Sequence, residues 1–296
     1  MTDPAVERDA AEAESAFSHP PVAPDATAAY GEHPDQVIDF YAPRTPGPGP
    51  APLVVVLHGG AWRAPYDRHH ITPFADFLAR RGFAVANVEY RRGSSLPHQS
   101  ASPGSGDGPV AGRWPETFDD VAAALDALPA LVASALPGID PRRMVITGHS
   151  AGGHLALWAA ARHVLPAGSP WRLPAPPMLR GVVALAPIAD FTEAEARGVC
   201  GGASAQLLGG PEHFAARLPY ADPAALLPTG IATAVVQGRD DIVVPHEVSE
   251  AYVAAAAHAG ETVGLTILDG VGHFPLTDPA ADACAVVSEE IAQLAW

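Results

Sequence analysis

A serine enclosed by glycines, Gly148-His149-Ser150-Ala151-Gly152, is the residue best placed to do chemistry. It stands between an apolar run, RRMVITGHS, and a helical pattern, AGGHLALWAAARHV. A strand that reverses directly into a helix crowds its own backbone, so only small residues fit beside a nucleophile held in such a turn. Ser150 is then expected at a helix N-terminus with its hydroxyl at the edge of a sheet, and the backbone N–H of Ala151 faces the place where an oxyanion would form. A serine hydroxyl is too weakly acidic to attack a carbonyl unaided, so a base and a residue to orient that base are required.

Both follow downstream. His273 lies in Gly270-Val271-Gly272-His273-Phe274, a glycine-rich loop just after an apolar strand pattern, and is the candidate general base. Asp241, in GRDDIVVP, is the candidate orienting carboxylate, which would fix the histidine tautomer and stabilise the imidazolium formed during attack. Asp240 is its rival; the spacing to Val244-Pro245 favours Asp241 and leaves Asp240 as a solvated carboxylate near Arg239. Upstream, His58-Gly59-Gly60-Ala61-Trp62 ends another apolar run. Its glycines allow the N–H groups of Gly60 and Ala61 to turn toward a developing negative charge, a contribution of roughly 3–4 kcal/mol in comparable sites. His58, Gly59, Trp62 and His149 are candidate pocket residues, with Trp62 equally readable as packing beneath the loop.

Other polar and aromatic residues point less far. His69-His70 has no third ligand at metal spacing, so no metal site is expected. His154 reads as a satisfied buried histidine, and Trp114, Trp158 and Trp171 as core or loop anchors. No cofactor is called for.

The elements that must position these groups alternate in type. QVIDFY reads as a half-buried strand, LVVVLHGG, FAVANVEY, RGVVALAPIA and TAVVQGRD as buried strands, RRMVITGHS as strand plus turn and TVGLTILDG as the last strand. Helical patterns lie between them, over HHITPFADFLARRG, PETFDDVAAALDALPALVASAL, AGGHLALWAAARHV and VPHEVSEAYVAAAAHAG, with an amphipathic helix closing the chain. Alternating strands and helices imply an α/β fold with a mostly parallel twisted sheet covered on both faces. Residues 1–28 read as an irregular or partly helical leader without chemistry, 29–296 as one domain, and 93–113 as a Gly/Ser/Pro-rich insertion too long for an ordinary connection.

Composition narrows the function. The chain has 296 residues and a formal charge of −16, and all 17 of its basic residues are arginine. Without lysine, Schiff-base chemistry and a Walker-type phosphate loop are excluded. The anionic balance disfavours nucleic acid and anionic lipid and points to a small-molecule partner. The 2 cysteines lack metal spacing, no apolar run reaches the length of a membrane span, and the acidic N-terminus lacks a secretory layout. A cytoplasmic protein is expected, with its oligomeric state unspecified.

HGGAW, GHSAGG, GRDDIVVP and GVGHF together resemble the esterase/lipase branch of the α/β-hydrolases, the hormone-sensitive-lipase-like esterases, from roughly Tyr30 to the C-terminus. Within it, HGG followed by Ala61 and Trp62, with the upstream YGEHPDQVIDFYAP, most resembles kynurenine formamidase (arylformamidase), which hydrolyses N-formylkynurenine to kynurenine and formate. That resemblance implies Ser150, Asp241 and His273 as the triad, a small ester or formamide as substrate, and a small acyl pocket beside Gly60, Ala61 and Trp62. The alternatives are a general short-chain carboxylesterase and, from another class, a catalytically silent ligand-binding protein on the same scaffold. A small peptidase is disfavoured, because no gating domain accompanies the motifs.

Overall fold

The computed structural model describes residues 3–45, 47, 49–93 and 110–296, so most of the insertion expected at 93–113 lies outside the described residues. In chain order the elements are α1 (Pro4–Ser18), β1 (Ala26–Ala29), β2 (Val37–Tyr41), β3 (Pro52–Leu57), α2 (Thr72–Arg80), β4 (Ala84–Val88), α3 (Glu116–Ala135), β5 (Asp140–His149) and α4 (Ala151–Ala160). There follow β6 (Gly181–Leu185), α5 (Phe191–Ala196), α6 (Ala203–Leu207), α7 (Pro211–Ala221), β7 (Thr233–Gly238), α8 (His246–His258), β8 (Gly264–Leu268) and α9 (Asp282–Ala295).

The strands form one 8-stranded sheet in the order β1-β2-β4-β3-β5-β6-β7-β8, with the β1–β2 and β2–β4 pairs antiparallel and all other neighbours parallel. This is the α/β-hydrolase fold. Strand β3 shows why the apolar runs belong at its centre. Leu53, Val55 and Leu57 join one core with α3, α4 and α8, while Val54 and Val56 join the other with α2 and α9. Both faces are covered, as a parallel sheet requires, and unbroken β-branched sequence replaces the alternation of a one-sided strand. Shortening a residue such as Leu155 of α4, fully buried, to Ala would cost about 2–5 kcal/mol.

The fold corrects or sharpens the sequence expectations in several places. Strand β2 is buried from Ile38 to Tyr41 instead of half-buried; its one charged residue, Asp39, finds Arg68 Nε at 2.7 Å and Thr27 Oγ1 at 2.6 Å in place of water. Residues 4–18 form a helix, capped by Asp3 accepting from the N–H of Ala5 at 2.9 Å. Between β6 and β7 stand the short helices α5, α6 and α7, for which no sequence pattern was read. No helix among the described residues is long and apolar enough to cross a membrane.

Candidate active site

The turn from β5 to α4 carries Ser150 at φ 57°, ψ −119°, a left-handed backbone that a side chain adopts only under constraint. Its N–H donates to Leu185 O of β6 at 2.8 Å, and its carbonyl accepts from the N–H of His154 at 3.1 Å. The flanking glycines are required by contact. A Cβ on Gly148 would lie 2.2 Å from Gly152 O, and one on Gly152 would lie 2.0 Å from Leu57 O. The turn is thus pressed against the end of β3, which brings the loop after that strand beside the serine.

That loop runs through Gly60 (φ 107°), Ala61 (φ 51°) and Trp62 (φ 54°), three successive residues with positive φ. The turn closes by Arg63 N–H donating to Gly60 O at 3.0 Å, while Gly93 and Gly112 both donate to Trp62 O, at 2.8 and 2.7 Å. The described ends of the insertion are therefore fastened beneath the same loop. Ala151 opens α4, where the first N–H groups have no partner inside the helix.

His273 and Asp241 meet from two loops at the C-terminal ends of β7 and β8. His273 Nδ1 lies 2.6 Å from Asp241 Oδ2, with both side chains buried. Asp241 Oδ1 accepts from the N–H groups of Val243 and Val244, each at 2.8 Å, and Oδ2 also accepts from Gln237 Nε2 at 3.2 Å. Gln237 is itself held by Ser249 Oγ at 2.8 Å. A carboxylate so surrounded by donors is fixed in direction. Asp240, by contrast, points outward to Arg8, 3.4 Å from Nη1. A Cβ at Gly238 would come within 2.4 Å of Val271 O and Gly272 O, so glycine there lets the histidine loop approach.

Gly60, Ala61, His149, Ser150 and His273 all line one cavity of about 310 Å³. Ala151, directly after Ser150 at the start of α4, is fully buried and is not among the residues lining it. Three expected pocket residues do not line it. His58 is fully buried, its ring 4.3 Å from that of Tyr90, with Nδ1 2.9 Å from Gly59 O and Nε2 2.9 Å from Glu89 Oε1. Gly59 sits against the backbone of His149, where a Cβ would meet its carbonyl at 2.9 Å. Trp62 is fully buried, its ring edge-on to His154 at 5.1 Å and to Phe191 at 5.9 Å, so it packs beneath the loop and walls no acyl pocket. His149 does reach the cavity. Its Nε2 lies 2.9 Å from His273 O, and burial, then the charge of His273, hold its pKa well below the ordinary value, so the ring is neutral.

His154 is buried in the core as expected but satisfied only in part, with Nε2 2.9 Å from Ala221 O, Nδ1 without a partner among the described residues, and its pKa lowered by burial to about 3. His69 and His70 diverge: His69 Nδ1 is 3.0 Å from Asp67 Oδ2, whereas His70 lines the cavity. Burial, then the charge of His58, lowers His70 to about 4.

Sequence reasoning missed the cavity's outer wall. Phe17 of α1, Tyr66, His70 and Phe274 form an aromatic cluster, with Phe17 ring centroids 5.5 Å from Phe274, 5.8 Å from His70 and 6.5 Å from Tyr66. Helix α1 is held there by Glu12 Oε1, which accepts from Gly272 N–H at 3.1 Å, and by Ser15 and His19, 2.6 and 2.7 Å from Asp278. Burial raises the pKa of Glu12, opposed by the Gly272 hydrogen bond. The segment read as carrying no chemistry thus supplies part of the wall. Arg63 and Cys200 also line the cavity, with Arg63 Nη2 donating to Cys200 O at 2.6 Å.

Comparison with known proteins is consistent with this geometry. Esterase B of Lactobacillus rhamnosis HN001 matches with a TM-score of 0.73 at 20% identity, covering 98% of this chain and 92% of that one. A truncated carbohydrate esterase from gut microbiota matches with a TM-score of 0.69 at 18% identity, covering 91% and 96%. At these identities the likeness bears on the fold. In sequence, a probable isoprenylcysteine alpha-carbonyl methylesterase, ICME, of Oryza sativa subsp. japonica is 26% identical over 84% of this chain and 58% of its own length. Esterase LipQ of Mycobacterium tuberculosis is 27% identical over 75% of this chain and 50% of its own. The chain spans about half the length of these curated relatives. The BD-FAE family model matches residues 38–255, a span that runs from within β2 to within α8 with Ser150 and Asp241 inside it, and the chain belongs to the BD-FAE family, with an α/β-hydrolase fold.

Proposed function

We propose that this protein is a serine hydrolase that cleaves small carboxylic esters through an acyl-enzyme, with Ser150 as nucleophile, His273 as general base and Asp241 as the positioning carboxylate. The observation that carries this reading is the constrained Ser150 turn opening into the same cavity as a histidine whose Nδ1 is bound to a buried carboxylate.

The chemistry follows. Ser150 Oγ attacks the substrate carbonyl carbon as its proton passes to His273 Nε2, and the carbonyl oxygen becomes an oxyanion facing the N–H groups of Gly60, Ala61 and Ala151. Asp241 keeps the Nδ1 proton in place and stabilises the resulting imidazolium. The carbon–leaving-group bond then breaks, the proton moves from His273 to the leaving group, and an acyl group remains on Ser150. Water attacks that ester with His273 again taking the proton, releasing a carboxylic acid and the free serine. No step calls for a metal or cofactor.

The printed descriptions of the relatives as esterases, and of one as a methylesterase, favour ester substrates. The aromatic wall gives a second reading its support: an arylformamide such as N-formylkynurenine could lay its ring against Phe17 and Phe274 while the formyl carbon meets Ser150. A panel of p-nitrophenyl acetate, butyrate and octanoate beside N-formylkynurenine separates these readings. An esterase favours acetate or butyrate and leaves the formamide nearly untouched. An arylformamidase turns over N-formylkynurenine with the highest kcat/KM, because binding of the kynurenine portion is used in the transition state. A folded protein inert to all four would indicate a silent scaffold.

A further inference from the structure

Two groups of side chains line the cavity together with Ser150. One is the aromatic cluster of Phe17, Tyr66 and Phe274; the other is built by Arg63 against the turn at Cys200. Phe17 is 46% and Tyr66 42% exposed, so large apolar rings stand grouped in the open at the mouth. Exposed apolar surface gathered at a cavity marks a binding site more often than chance exposure does.

Arg63 directly continues the oxyanion loop, and its own N–H closes that loop on Gly60 O. Its backbone is therefore fixed relative to the atoms that would hold a reacting carbonyl. The side chain spends Nη2 on Cys200 O, while its Nε is buried and without a hydrogen-bond partner. Among the described residues no carboxylate lies within ion-pair distance of it, and Asp241, which approaches the same cavity, is committed to His273 and to the N–H groups of Val243 and Val244. A buried N–H of a cation left unpaired is costly, and the planar fork of arginine matches a carboxylate with two parallel hydrogen bonds.

We infer that Arg63 forms a subsite for a carboxylate carried by an aromatic substrate, the ring resting on the Phe17–Phe274 wall and the scissile carbonyl between them at Ser150. This rests on the proposed hydrolase reading and narrows its substrates to aryl esters or arylformamides that bear an anion. The overall negative charge of the chain makes a local cation the more necessary, since the long-range field repels such a substrate.

The test compares para-acetoxybenzoate and its meta isomer with the corresponding neutral acetoxybenzamides, which share shape and ester chemistry. Wild type should favour the carboxylates over the carboxamides by about tenfold or more in kcat/KM, Arg63→Gln should bring that ratio close to one, and Arg63→Lys should retain part of it. A ratio near one in wild type, or a ratio that Arg63→Gln leaves unchanged, overturns the subsite while leaving the hydrolase reading intact. Calorimetry on Ser150→Ala with para-hydroxybenzoate and para-hydroxybenzamide reads the subsite without turnover. Benzoate binding that disappears in the Ser150→Ala, Arg63→Gln double variant supports the subsite even if no ester is hydrolysed, in which case the hydrolase reading alone fails. Equal binding of benzoate and benzamide overturns the subsite.

Discussion

Two buried histidine–carboxylate pairs stand on this sheet, and they differ in what the histidine has left to offer. His273 gives Nδ1 to Asp241 and lines the cavity beside Ser150. His58 has both nitrogens engaged, with Gly59 O and Glu89, is stacked on Tyr90 and lines no cavity. Chemically the pairs are alike. The difference teaches that a histidine–carboxylate contact suits catalysis only when one ring nitrogen remains open toward substrate; the closed pair instead ties the ends of β3 and β4 together beside the Gly60–Trp62 loop.

Substitutions at the two carboxylates should separate these roles. Asp241→Asn is expected to lower kcat on the order of 10⁴-fold by admitting the wrong histidine tautomer, with a cooperative melt retained. Asp240→Asn, at a residue turned outward to Arg8, should change kcat far less, and steady-state kinetics on both variants checks the ranking. If Asp240→Asn proved the more damaging, the pairing drawn between His273 and Asp241 would not be the one that works.

Glu89→Gln should do the reverse. Burial works to raise the pKa of Glu89, but His58 and then Arg92 outweigh it and hold the carboxylate at about 2. Its oxygens also accept from the N–H groups of Arg68 and Tyr90, each at 2.9 Å. Removing the charge from such a buried set should cost about 3–5 kcal/mol, seen as a lower denaturant midpoint, while kcat per folded molecule falls less than for Asp241→Asn. The sign with pH is definite: a depressed carboxylate stabilises above its unfolded value of 4.5, and the contribution is lost as pH falls through about 2. Wild type should therefore lose a stabilising increment in that window that Glu89→Gln never had.

The geometry of the candidate site was legible in the sequence because it depends on local constraints. The Ser150 turn needs glycine at 148 and 152, the loop at 238 needs glycine to admit the histidine loop, and continuous β-branched runs can only be strands covered on both faces. The cavity wall was not legible. Helix α1 buries none of its residues, so it has no apolar stripe for periodicity to find, and Phe17 meets Phe274 only because the chain folds back across the sheet. Helices α5 to α7 span 6, 5 and 11 residues, and the first two are too short to show a period at all. His58 and Gly59 do not line the cavity, and of the two readings open for Trp62 the packing one matches the fold: their motif fixes the loop's backbone but not the side to which each residue turns.

A third histidine sharpens the contrast at smaller scale. His154 stays neutral in the fold, its value lowered by burial from 6.5 to about 3, so the unfolded chain takes up a proton that the fold refuses. Stability from this residue therefore falls as pH drops below 6.5, by about 2 kcal/mol at pH 5. His154→Phe should be less stable than wild type at pH 7.5, having lost the bond to Ala221 O, and the gap should narrow or invert at pH 5. Urea melts at the two pH values give the answer, and a gap that widens at pH 5 would count against a neutral buried ring.

The account turns on Ser150 being the atom that is acylated. Treating the folded protein with a fluorophosphonate and locating the adduct by peptide mass spectrometry tests this directly. One phosphonyl group on Ser150, formed in wild type, strongly slowed in Asp241→Asn and absent in Ser150→Ala, is the predicted result; no adduct, or one placed on any other residue, contradicts the central claim.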